Sequence, residues 1–137
     1  LNKAGAAFGK LPYVSAMTDV TGFGLLGHLC EVCEGSNLTA EIDFDQIPKF
    51  DFLEEYLQQR SVPGGTLRNW DSYGSKVSIL SETQRSVLAD PQTSGGLLVC
   101  VDPHYAADFE RVAQQLGLSL QSFGKLIKQQ DKTINIR

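Results

Sequence analysis

The segment Met17-Thr18-Asp19-Val20-Thr21-Gly22-Phe23-Gly24-Leu25-Leu26-Gly27-His28-Leu29 decides how this 137-residue chain is read. Just before it, Tyr13 to Met17 reads as a short strand. Within and beyond it, apolar residues recur at helical spacing. At about 100° per residue, Leu25, Leu26, Leu29, Val32 and Cys33 share one stripe, and Gly27, Glu31 and Glu34 lie opposite. The pattern predicts a helix from about Gly22 to Glu34, closed by Gly35, which takes left-handed φ without steric cost. A strand, a polar turn carrying the carboxylate of Asp19, and a glycine-opened helix thus follow one another.

Working outward, Leu1 to Lys10 is small and apolar and reads as the end of a helix. Leu38 to Asp43 alternates well enough to be a strand. Asp51 with Glu54 spells a capping box ahead of a helix whose apolar face is Phe52, Leu53, Tyr56 and Leu57. Pro63-Gly64-Gly65 reads as a stop, followed by an ordered loop from Thr66 to Gly74 and a strand from Lys76 to Leu80. Ser81 with Gln84 forms a second capping box, opening a helix through about Ala89. Asp90 to Gly96 is a loop, and the apolar run Leu97 to Val101 has the length of a buried strand. Asp102-Pro103 starts a helix buried through Tyr105, Phe109, Val112, Ala113 and Leu116 and closed by Gly117. Leu118 to Phe123 and Thr133 to Ile136 read as the last strands. Strands interleaved with helices imply an α+β layered domain, helices covering a mixed sheet, over residues 1–137.

Composition narrows the function classes. Twelve Lys plus Arg against 16 Asp plus Glu give a net charge of −4, which argues against nucleic-acid binding. Hydrophobic residues at 42% and charged ones at 20% supply a core and too little charge for disorder. No apolar run approaches the roughly 20 residues that span a bilayer. The chain begins at Leu1 with no visible signal peptide, and Met17 is its one methionine, as expected of a processed or excised piece. Three cysteines, an odd number, give no disulfide framework and suit a reducing cytoplasm.

Of the 13 glycines, seven fall in three clusters: Gly22, Gly24 and Gly27; Gly64 and Gly65; Gly95 and Gly96. The first satisfies G-x-G-x-x-G, with Asp43 about 20 residues on, where a dinucleotide ribose acid is sought. Against a dinucleotide site, Thr18 to Thr21 separate the predicted strand from Gly22, and no second β-α-β unit follows. The plain alternative is close helix packing. Asp19, flanked by Thr18 and Thr21, suits a hard cation such as Mg²⁺, which takes one or two carboxylates beside water and phosphates; equally, it suits a helix cap. His28, Cys30 and Cys33 spell H-x-C-x-x-C but lack a complete zinc set, and the cysteines lie too far into the helix for a redox pair. Pro63-Gly64-Gly65-Thr66 with Arg68 and Asn69, and Asp90-Pro91-Gln92-Thr93-Ser94-Gly95-Gly96, offer amides and hydroxyls that converge on an anion or make ordinary turns. His28 and His104 have no partnered nucleophile, so no catalytic triad forms.

Taken together and in this order, Met17 to Leu29, Val62 to Asn69 and Asp90 to Leu98 resemble the C-terminal half of selenophosphate synthetase (selenide, water dikinase), over essentially the whole chain. That family belongs to the aminoimidazole ribonucleotide synthetase-like superfamily. The resemblance implies a three-layer α/β/α domain with a mixed sheet. It implies an enzyme that converts selenide, ATP and water to selenophosphate, AMP and phosphate, with an N-terminal ATP-binding domain that dimerises. By the match Asp19 is a Mg²⁺ ligand; Arg68, Asn69, Thr93 and Ser94 are cleft candidates without assigned roles. The family's catalytic cysteine or selenocysteine and remaining metal ligands belong to its other half, so this piece alone is expected to be inactive. Alternative readings are a noncatalytic binding domain of the same fold, another enzyme of the superfamily, and a dinucleotide-binding oxidoreductase domain.

Overall fold

A computed structural model describes residues 2–137. Among the described residues there are five strands and six helices. Helix α1 (Gly5–Phe8) precedes β1 (Val14–Asp19), α2 (Gly24–Ser36) and β2 (Leu38–Ile42). Three helices follow in succession: α3 (Leu53–Gln58), α4 (Gly64–Tyr73) and α5 (Glu82–Leu88). Then come β3 (Leu97–Val101), α6 (Ala106–Gln115), β4 (Gly124–Lys128) and β5 (Ile134–Ile136).

The strands form two sheets. β1 pairs antiparallel with β3, setting Asp19 opposite Leu97 and Thr18 opposite Leu98. The other sheet has the order β4-β2-β5. It is mixed, with β2 antiparallel to β4 and parallel to β5. This is the expected α+β class. Layering follows from the two-residue period of β3. Leu97, Val99 and Val101 pack against Phe8 of α1 and Phe109 and Ala113 of α6. Leu98 packs the opposite way, into the cluster of Leu26, Leu29 and Cys33 from α2 and Ala40, Ile42 and Ile134 from the mixed sheet. Burying a side chain such as Leu26 completely contributes about 1.5–3 kcal/mol, so α2 is the central element of this core.

Several local expectations are corrected. β1 continues to Asp19, because Thr18 and Asp19 find ladder partners on β3, so Asp19 ends a strand instead of lying in the turn. Gly35 stays within α2; the left-handed residue is Asn37 at φ 55°, one of the few non-glycine types that tolerates it. The box at Asp51 does not form: α3 starts at Leu53 with Phe52 at the N-cap and no side-chain cap. Its expected apolar face leaves Phe52 and Tyr56 exposed, packed on each other edge to face. The segment from Thr66, expected as loop, is helix α4, with extended Pro63 at its N-cap. Lys76 to Leu80 is no strand, holding only a bridge from Val77 to Ile134. Leu118 to Phe123 is irregular, with Leu118 and Leu120 exposed, and strand begins only at Gly124. Tyr105 and Leu116 also stand exposed, Tyr105 in a short 3₁₀ turn that Asp102 caps before α6 begins. The box at Ser81 forms as expected: Gln84 N–H donates to Ser81 Oγ at 3.1 Å, and Ser81 N–H donates to Gln84 Oε1 at 3.0 Å.

Candidate functional site

The fold brings the three glycine segments together. Asn69, buried on α4, donates through Nδ2 to the Gly22 carbonyl at 2.8 Å and to the Ala89 carbonyl at 2.9 Å. Tyr73, one turn further on, donates its hydroxyl to the Phe23 carbonyl at 2.7 Å. The backbone N–H of Gln92 reaches the Thr21 carbonyl at 3.0 Å, and the N–H of Val20 reaches the Gly96 carbonyl at 2.9 Å. Second and third segments also meet, Gly65 lying against the Pro91 ring.

Two glycines are required by this geometry. Gly24 opens α2 at φ +69°, and a Cβ there would stand 2.9 Å from the Ala89 carbonyl carbon and the Asp90 oxygen. A Cβ on Gly95 would sit 2.5 Å from the Val20 oxygen. Only a bare backbone permits approaches this close. The packing reading therefore holds for Gly24 and Gly95, and it holds between segments distant in sequence, whereas Gly22 and Gly96 have open space around them.

Asp19 stands exposed at the end of β1, directly before this junction. Thr93 and Ser94 occupy the exposed stretch between Gln92 and Gly95, whose ends are tied to Thr21 and Val20. Arg68 projects from the exposed face of α4. Asn69 is different. Its two amide protons are spent on backbone carbonyls, so it acts as a clamp. Both partners are acceptors, which fixes the orientation of the amide. The signal for it was available, since Thr66, Asn69 and Tyr73 are the buried residues of α4 and recur at helical spacing.

The electrostatics suit a junction more than a reactive centre. Burial raises the Asp90 carboxyl above its ordinary range, with the nearby Thr66 hydroxyl pulling the other way. Thr66 Oγ1 is itself fully buried and completes no hydrogen bond. Burial, with Glu34 adding to it, pushes the Cys30 thiol up to about 12, and burial beside Cys100 pushes Cys33 up to about 11. Neither is a thiolate near neutrality, in keeping with small buried hydrophobes. His28 is buried between Thr21 and Glu31. Asp43, the sought ribose acid, caps a 3₁₀ turn by accepting from Asp45 N–H at 3.0 Å. It lines a depression with Glu41, Lys125 and Arg137 that contains none of the glycine segments. Since β1 and β3 are antiparallel, no parallel β-α-β unit stands behind Gly22.

As a metal site the junction is partial. Among the described residues, no group of three or more His, Cys, Asp or Glu is placed to hold an ion. The chemistry of the donors nevertheless fits Mg²⁺: a solvent-facing carboxylate beside two hydroxyl residues, all hard oxygen, can supply one ligand of a shared site.

The acidic strand end and the glycine loops thus meet at one junction, which among the described residues gathers no group of three metal-ligating side chains. The sequence pattern of the family described as "AIR synthase related protein, C-terminal domain" matches residues 3–137, and the chain belongs to that family. Its relatives include proteins named selenide, water dikinase. One from Pseudomonas putida is 54% identical over 136 residues, covering 99% of this chain and 40% of that protein. Others are those of Pseudomonas aeruginosa, 53% identical with the same coverage, and Colwellia psychrerythraea, 51% identical with the same coverage. The chain thus spans about 40% of the length of these relatives. A solved structure of thiamine-monophosphate kinase from Stenotrophomonas maltophilia K279a shares the fold, with TM-score 0.53 at 18% identity over 90% of this chain and 31% of that one. No helix among the described residues is long and apolar enough to cross a membrane.

Proposed function

We propose that residues 1–137 are the C-terminal domain of an ATP-dependent selenophosphate synthetase, which converts selenide, ATP and water to selenophosphate, AMP and phosphate. The observation that carries this reading is the convergence of the three glycine segments beside Asp19, in a chain 54% identical to a selenide, water dikinase. The domain forms one wall of the cleft. Asp19 would hold Mg²⁺ through a carboxylate oxygen, as one ligand of a site shared with the rest of the full-length protein. Mg²⁺, when bound, supplies charge screening for the polyphosphate and polarises its oxygens.

The chain's own residues supply position. Asn69 holds the Gly22 turn, and the Gln92 and Val20 bonds hold the strand end that carries Asp19. Thr93, Ser94 and Arg68 offer hydroxyl and guanidinium donors to an anionic ligand from exposed positions. Selenide, ATP and a separate N-terminal domain are the partners, in a cytoplasmic protein that is a homodimer at full length. The nucleophile lies outside this chain.

The test is direct. Full-length protein incubated with selenide, ATP and Mg²⁺ should release AMP and form selenophosphate, followed by ³¹P NMR. ATP turnover without selenide dependence would contradict the reading.

A further inference from the structure

His28 is buried in α2 with 7% exposure, and both its ring nitrogens are engaged. Nδ1 lies 3.2 Å from Glu31 Oε2, one turn along the helix. Nε2 lies 3.1 Å from Thr21 Oγ1, in the turn that follows Asp19. The Phe23 ring, 5.7 Å away and tilted, covers the imidazole. A carboxylate only accepts. With the ring neutral, Glu31 therefore selects the tautomer with hydrogen on Nδ1, and Nε2 is left to accept. The Thr21 hydroxyl must then donate to His28. Its one proton is spent, and its oxygen lone pairs are left to accept from something else.

The same residue is fixed through its backbone. The Thr21 carbonyl accepts from Gln92 N–H and from Gly24 N–H, each at 3.0 Å. A turn held this firmly at the backbone has little need of a three-residue relay to hold its side chain. The relay sets the direction of one hydroxyl, two residues from Asp19. Mg²⁺ keeps several water ligands whose protons require acceptors, and such outer partners are worth roughly 10–100-fold in metal affinity.

We propose that His28, oriented by Glu31, is a positioning residue for the cation site at Asp19, fixing the Thr21 hydroxyl as an acceptor for a water ligand of the ion. This rests on Asp19 being a metal ligand, and the test keeps the two claims apart. Mn²⁺ binding to the full-length protein is measured by electron paramagnetic resonance, with no turnover required. Asp19→Ala should lose the binding. Thr21→Val, which keeps the shape and removes the hydroxyl, should weaken it roughly 10–100-fold, and Thr21→Ser should recover most of it. A folded Thr21→Val protein with unchanged Mn²⁺ affinity, where Asp19→Ala abolishes binding, overturns the role of His28 alone. Unchanged binding in Asp19→Ala overturns both claims. Independently of whether the variants fold, the ¹⁵N resonances of His28 in the unsubstituted protein should report hydrogen on Nδ1. Hydrogen on Nε2 would make Thr21 the acceptor of His28 and overturn the proposal.

Discussion

Asn69 donates its side-chain amide to the carbonyl of Gly22 at 2.8 Å, across 47 residues of sequence, and so joins helix α4 to the turn that follows Asp19. The second amide proton goes to Ala89 at 2.9 Å, which leads into the third glycine segment. One side chain thus joins all three.

Removing that side chain leaves two carbonyls without a donor. An unsatisfied buried group costs about 1–3 kcal/mol, so Asn69→Leu should lower stability by about 2–4 kcal/mol, part of the penalty being relieved where water reaches Gly22. Asn69→Asp should do no better, since a carboxylate presents oxygen to oxygen. Urea unfolding midpoints of the two variants measure this. A loss below about 0.5 kcal/mol, the range of neutral surface changes, would show that the clamp is not needed.

At Gly24 the backbone itself sets the limit. A Cβ would meet the backbone of Ala89 and Asp90, at the end of α5, at 2.9 Å, with φ at +69°. Left-handed φ alone costs about 1–2 kcal/mol, and the clash adds to it. Gly24→Ala should therefore destabilise by more than about 2 kcal/mol, while Gly35→Ala, at an exposed helical position with open space around it, should be neutral or stabilising. Thermal melts of the pair give the contrast.

The buried thiols make stability fall in alkali. Cys30 and Cys33 have an ordinary value of 9.0, raised in the fold to about 12 and about 11. Above pH 9 the unfolded chain releases these protons and the folded chain keeps them. The unfolded state then binds fewer protons, so stability declines as pH rises from 9 toward 11. Urea midpoints at pH 8 and pH 10 should differ more in the unsubstituted protein than in a Cys30→Ala, Cys33→Ala variant. Iodoacetamide should label both cysteines only after unfolding.

One exposed carboxylate cannot build a Mg-ATP site. Calorimetry on the 137-residue chain should detect weak binding of Mg-ATP or none, and a NADH fluorescence titration should also be flat. Tight binding of ATP would mean that the chain carries ligands beyond Asp19. Binding of NADH would revive the dinucleotide reading of Gly22, Gly24 and Gly27.

What could be read in the sequence was local. The stripe of Leu26, Leu29 and Cys33 is a property of one helix, and the Ser81–Gln84 box closes within four residues, so both are visible before folding. Pro63-Gly64-Gly65 misled, because the same residues that stop a helix also stand at the start of one. Extended Pro63 precedes the first turn, and the buried spacing of Thr66, Asn69 and Tyr73 outweighs the low propensity of two glycines. Leu118 and Leu120 alternate like a strand but find no partner, and the edge of the sheet is taken by Gly124 to Lys128 instead. Of the candidate site, the three segments were legible, and they meet in the fold; the metal role of Asp19 is a proposal. That Asn69 unites the segments depends on contacts between distant residues, which no spacing rule records.

On the proposed reading, Asp19 serves catalysis from this domain. In full-length protein, Asp19→Ala should fold normally and lose selenide-dependent conversion of ATP to AMP. AMP production at the unsubstituted rate would contradict it.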